Sequence, residues 1–152
     1  MATALNMTMP LKQDPQTQQT LAQVKASFAS TIQPAAVAAL KESGIVHFAR
    51  ILVIENKYIQ LITEFDGGKR EYSEFFRKRF PEVFRTIFSM VEGVPSWEQL
   101  NNSNDFYKYT KGFNLKALGV SDSGDPDEGW LFSAYGSKGV KDLLEGLGGR
   151  KP

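Results

Sequence analysis

His47 is the only histidine in this chain of 152 residues, and there is no cysteine. Imidazole changes charge near neutral pH, so His47 is the side chain best suited to proton transfer or to ligation of a metal or haem. A carboxylate, Glu64, faces it if the intervening residues form a hairpin, and a carboxylate can orient an imidazole for general-base work. Tyr58 and Gln60 continue the same face. We therefore take His47 and Glu64 as candidate catalytic residues and Tyr58, Gln60, Arg50 and Asp66 as candidate ligand-binding residues. The competing reading is a structural cross-strand pair at a subunit interface.

Other clusters carry less chemistry. One histidine without partners at metal-ligand spacing predicts no metal site. Arg50 cannot shed its charge and needs an acidic or carbonyl partner, for which Asp66 is placed. Asp66-Gly67-Gly68 reads as turn chemistry, without the lysine and spacing of a phosphate-binding loop. Arg77-Lys78-Arg79 reads as a solvated helix face. Asp122, Asp125, Asp127 and Glu128 do not match an EF-hand loop. No G-x-S-x-G nucleophile motif occurs. The lack of cysteine removes disulfides, thiol catalysis and thiolate metal sites.

The element that must position His47 is a hairpin over residues 44–68, GIVHFARILVIENKYIQLITEFDGG. Residues 45–54 and 58–65 are rich in β-branched and aromatic types that suit a pleated, half-buried surface. Asn56 tolerates the left-handed backbone of a tight turn, so Glu55-Asn56 is the expected loop. With that loop Ile54 faces Lys57, and His47 faces Glu64. Ala49, Ile51 and Val53 then share the face of His47 with Tyr58, Gln60 and Ile62. The opposite face combines Val46, Phe48, Arg50, Leu52 and Ile54 with Ile59, Leu61, Thr63 and Phe65, and helices must cover it.

Upstream, residues 2–10 read as a short strand near a sheet edge, because Pro10 lacks a ladder donor. Asp14 and Pro15 start a helix whose buried stripe is Leu21, Val24, Phe28 and Ile32. Pro34 kinks or restarts it, residues 35–41 continue it, and Gly44 stops it. Downstream, residues 71–80 are helical with Tyr72, Phe75, Phe76 and Phe80 inward. After Pro81 a second segment buries Val83, Phe84, Ile87, Phe88 and Val91. Ser96 to Gln99 has the form of a capping box. Residues 101–118 read as helix and irregular chain, and 119–129 as an acidic loop. A last strand is expected over 129–135, with Trp130, Phe132 and Ala134 on one side. Ser137 should cap a final helix packing Val140, Leu143, Leu144 and Leu147 inward. Residues 1–147 form one domain and 148–152 a frayed tail.

The order of these elements predicts an α+β fold of ferredoxin-like βαββαβ type, an antiparallel sheet with helices on one face. The bare face calls for a second copy, hence a homodimer. Hydrophobic residues make up 41% and charged residues 23%, and the net charge of +1 gives no electrostatic case for nucleic acid. No apolar run approaches the ~20 residues that span a bilayer. The first residues lack a basic stretch followed by an apolar one, so no signal peptide is expected and a cytoplasmic protein is the default.

The pattern VHFARILVI followed by LITEFDGG resembles a subgroup of dimeric α+β-barrel proteins. That superfamily includes cofactor-independent antibiotic-monooxygenase-like proteins and the haem-binding dye-decolourising peroxidases and chlorite dismutases. The resemblance covers the element order over most of the chain and motif similarity over residues 44–68. It implies a homodimer whose facing sheets enclose a cavity for a small apolar or aromatic ligand, with no cofactor needed. A haem-binding, peroxidase-like protein and a non-catalytic dimeric interaction module are the alternatives. Phe65-Asp66-Gly67 matches only a fragment of the peroxidases' Gly-x-x-Asp-Gly motif, so haem ligation is not carried over to His47.

Overall fold

The computed structural model describes residues 1–148. Its sheet has three antiparallel-paired strands in the order β1 (Thr3–Pro10), β3 (Tyr58–Phe65), β2 (Val46–Ile54). Because β1 and β2 are each antiparallel to the β3 strand between them, they run parallel to one another. The crossover joining them is helical, which makes a split β-α-β unit. It consists of α1 (Pro15–Ser27), a π-helical turn (Phe28–Ile32) and α2 (Gln33–Ser43). After β3 come α3 (Lys69–Arg79), α4 (Pro81–Ser89), the short α5 (Trp97–Leu100), α6 (Ser103–Phe113) and, last, α7 (Val140–Gly146).

Local chemistry explains most boundaries. Asp14 caps α1 through its side chain, which accepts from the Thr17 N–H at 3.0 Å, and Pro15 opens the helix. Pro34 has no N–H to give to the preceding turn. The chain passes this point with a π turn, in which the Gln33 N–H bonds the Phe28 carbonyl. Gly44 ends α2 at φ 67°, a conformation that costs glycine nothing. Pro81 opens α4 directly after α3. Asn102 caps α6 by accepting from the Asp105 N–H.

One face of the sheet makes the core. Leu5, Met7 and Met9 of β1 and Ile59, Leu61, Thr63 and Phe65 of β3 are buried, with Ile51 and Val53 of β2 packed against them. Tyr72 stacks on Phe65 with ring centroids 4.0 Å apart, and its hydroxyl pairs with the Thr63 hydroxyl at 2.8 Å. Burial pushes the Tyr72 phenol above its ordinary pKa, so it stays neutral. Phe106 of α6 is fully buried and meets Phe84, Phe88 and Trp97 edge-on at 5.4, 5.8 and 6.1 Å.

The structure corrects several expectations. Ile54 pairs with Tyr58, not Lys57, so the rungs from Ile54 back to Phe48 are displaced by one from the expected register, and only beyond the bulge does Val46 meet Phe65 as expected. Glu55 and Asn56 do adopt left-handed backbone, and the Lys57 N–H closes the turn on the Ile54 carbonyl at 2.8 Å. The displacement joins Ile51 and Val53 to the buried side of β3. It sends Phe48, Leu52 and Ile54 to the open face with Tyr58 and Ile62. Residues 129–135 form no strand, and the sheet among the described residues stops at three. Instead the Trp130 N–H bonds the Leu118 carbonyl at 2.9 Å, closing the loop before it, and residues 134–137 form a turn. Ser96 heads α5 without a side-chain cap. Gly139, not Ser137, precedes α7, whose Val140, Leu143 and Leu144 are only half-buried while Leu147 is exposed. Of the expected tail, residues 149–152 lie outside the described residues.

Replacing Phe106 with alanine should lower unfolding free energy by ~3–5 kcal/mol, the usual cost of emptying a buried aromatic site. Urea denaturation checks this; a loss within ~1 kcal/mol would show that the aromatic cluster does not carry the helix layer.

Candidate functional site

The hairpin register is interrupted between Val46 and Phe48, so His47 occupies a bulge with no rung of its own. Bulges re-aim side chains, and this one turns the imidazole to Asp66 at the end of β3. His47 Nε2 lies 2.7 Å from Asp66 Oδ1, with the side chains 10% and 21% exposed. The other carboxylate oxygen, Oδ2, accepts from the Val140 N–H at 2.7 Å, in the first turn of α7. Gly139 is needed beside it, since a Cβ there would stand 2.9 Å from Asp66 Oδ2. One carboxylate thus ties the hairpin to the last helix. Burial opposes the charge on Asp66, but the Val140 and His47 hydrogen bonds outweigh it and hold the carboxyl below its ordinary pKa.

The sequence placed Glu64 opposite His47; its rung partner is Phe48. Burial pushes the Glu64 carboxyl above its ordinary pKa, against the opposing pull of Arg50 and His47. Arg50, expected to pair with Asp66, is exposed and pairs across the ladder with Ile62. Gln60 reaches β1, donating to the Thr8 hydroxyl at 3.1 Å. Tyr58 stands at the exposed turn end of the strand. Asp66 and His47 are brought together; Glu64, Arg50, Gln60 and Tyr58 extend along the open face of the sheet rather than around one recess.

An apolar recess lies on the other face. A cleft of about 280 Å³ lies between the α1–α2 crossover and α4, floored by Ile51, Val53 and Ile59. Val24, Phe28 and Ile32 form one wall and Val83 and Ile87 the other, with Lys25, Glu82 and Thr86 as polar members. The π turn contributes Phe28 and Ile32. Such turns often sit at functional places in helices. Sequence spacing identified Val24, Phe28 and Ile32 as a buried stripe. What it lacked was the gap: Phe28 and Ile32 are not fully covered by the elements they face.

No group of three or more metal-ligating side chains occurs among the described residues. Haem ligation through His47 Nε2 does not fit the folded chain, since that atom is committed to Asp66 in a nearly buried ring. None of the helices among the described residues is long and apolar enough to cross a membrane. Comparison with protein-family models, curated proteins and solved structures found no match for this chain.

Asp66→Asn should weaken both hydrogen bonds and cost ~1.5–3 kcal/mol at neutral pH, as charge-assisted bonds do. Because the folded-state pKa lies below the unfolded value of about 3.9, the ionic part of this stability is full above that value. It is lost as pH falls through the folded value. Urea denaturation across acidic pH should therefore show a shallower acid loss in Asp66→Asn, and hydrogen exchange should quicken over residues 140–146. Identical acid profiles in both proteins would contradict the role given to the carboxylate.

Proposed function

We propose that this protein binds a small apolar or aromatic molecule in the cleft between the α1–α2 crossover and α4. The observation that carries the reading is a lining of mostly apolar side chains with a few polar groups at hand, the usual construction of a small-molecule site. Its volume of about 280 Å³ is just below the ~300–1,000 Å³ common for such sites, which favours a ligand of one or two rings. Neither His47 nor Asp66 lines the cleft, so the proposed activity is binding rather than turnover.

The same reading includes a homodimer, joined through the open face of the sheet. Phe48 is 72% exposed there, with Leu52, Ile54 and Tyr58 each at least 40% exposed. Exposed large apolar side chains gathered on one face generally mark association surfaces, and a two-fold contact would place that face on its own copy. The split β-α-β unit and one-sided helix layer support the kinship with dimeric α+β barrels proposed from the hairpin residues. If the cleft proves closed to ligands, the open face favours the second reading, a dimeric interaction module without a ligand.

Calorimetric titration with indole, a two-ring apolar probe, should give saturable binding. Val83→Trp or Ile32→Trp, each filling the cleft, should abolish it while leaving the thermal transition cooperative. Unchanged binding in both variants would remove the cleft from the reading.

Light scattering should find the mass of two chains, and Phe48→Glu with Leu52→Glu should return a folded monomer. A wild-type monomer at micromolar concentration would contradict the dimer and leave the cleft untouched.

A further inference from the structure

A second recess lies at the far end of the sheet, and it is built from different chemistry. It has a volume of about 200 Å³ and is bounded by Phe65, Tyr107, Lys69, Lys111 and Lys116, with Asp127 at its edge. We propose that it is a binding site for a small organic anion bearing a carboxylate or phosphate group, and that the acidic loop 119–129 is its lid. This goes beyond the cleft reading and does not depend on it.

Three lysines around one recess would ordinarily be solvated. Lys69 is not: its side chain is 22% exposed, and its ammonium lies 3.5 Å from Asp125 and 3.4 Å from Glu128. Burial alone would lower its pKa, yet the two carboxylates outweigh it and raise it, so the cation is held firmly. Lys111 and Lys116 make no ion pair among the described residues. The recess itself is lined by three lysines against one carboxylate, Asp127, and the loop balances this excess by bringing Asp125 and Glu128 to the lysine that is most enclosed. Those carboxylates stand where a ligand's anionic group would stand. Half-buried Tyr107 offers aromatic wall to the rest of such a ligand, with the fully buried Phe65 behind the recess.

The loop has the construction of a unit that can swing. Its ends are joined by the Trp130 N–H to the Leu118 carbonyl at 2.9 Å. Gly119 has φ +84°, and at Gly129 a Cβ would stand 1.9 Å from the Ala117 carbonyl oxygen, so both ends require glycine. Inside, Ser121 and Ser123 donate to Glu128 Oε2 at 3.2 and 2.9 Å, leaving Oε1 for Lys69. Glu128 travels with the loop because the loop's own hydroxyls hold it. Entry of an anion exchanges the Asp125 and Glu128 carboxylates at Lys69 for the ligand's own and releases the lid.

Calorimetric titration of the full chain at low ionic strength tests this, with inorganic phosphate and benzoate as separate probes. At least one should bind saturably, the successful probe telling phosphate from carboxylate recognition. Asp125→Ala with Glu128→Ala removes the competing carboxylates and should tighten binding by about three- to tenfold, as two partly exposed ion pairs would be worth. Lys111→Ala with Lys116→Ala, both surface positions, should weaken it by at least as much while the thermal transition stays intact. Failure of both probes to bind the lid variant up to millimolar concentration would overturn the site. So would binding indifferent to the lysine pair. Equal or weaker affinity in the lid variant would overturn the lid.

Discussion

The central strand β3 is buried at every second residue on one side, and the helices lie where that burial puts them. Ile59, Leu61, Thr63 and Phe65 supply the floor on which Tyr72, Phe76, Phe84 and Phe106 assemble. Each fully buried apolar side chain gains ~1.5–3 kcal/mol over exposure, so a floor of this composition outweighs any local preference of the helices above it. The same constraint leaves the opposite side of the sheet bare. A single layer of helices on one face therefore yields both proposed features, a cleft where the helices fail to meet over Ile51 and Ile59, and a patch at Phe48 and Leu52.

Much of this architecture was legible in residue types. Strand lengths, the Asp14-Pro15 helix start, the Gly44 stop and the inward phenylalanines follow from backbone and burial chemistry that each residue carries alone. The register of the hairpin did not follow. Glu55-Asn56 correctly marked left-handed turn residues, but whether the next rung begins at Lys57 or Tyr58 depends on pairing across three strands. A single step of register interchanges the faces of β2, which is why Phe48 and Leu52 lie outside and Ile51 inside. The absent fourth strand has a related cause. Trp130, Phe132 and Ala134 alternate as a strand should, yet Gly129 packs against Ala117 and the chain folds back there.

The candidate site shows the same division. His47 stood out because it is unique, and Asp66 because of its turn, but their union needed the bulge that no residue type announces. Glu64 was the nearer carboxylate in the expected register and lost that place with the one-residue displacement. The lysine recess was invisible for a different reason. Lys69, Lys111 and Lys116 come from α3, α6 and the chain after it, and only the packing of α6 along β1 and α3 brings them together.

Ligand binding in the opening between the α1–α2 crossover and α4 is the central proposal. Intermolecular nuclear Overhauser effects between bound indole and the methyl groups of the protein test it most directly. Contacts are expected to Ile51, Ile59, Val83 and Ile87, which line the cleft. Contacts confined to Leu52, Ile54 and Ile62 on the open face of the sheet, with none in the cleft at saturation, would contradict it.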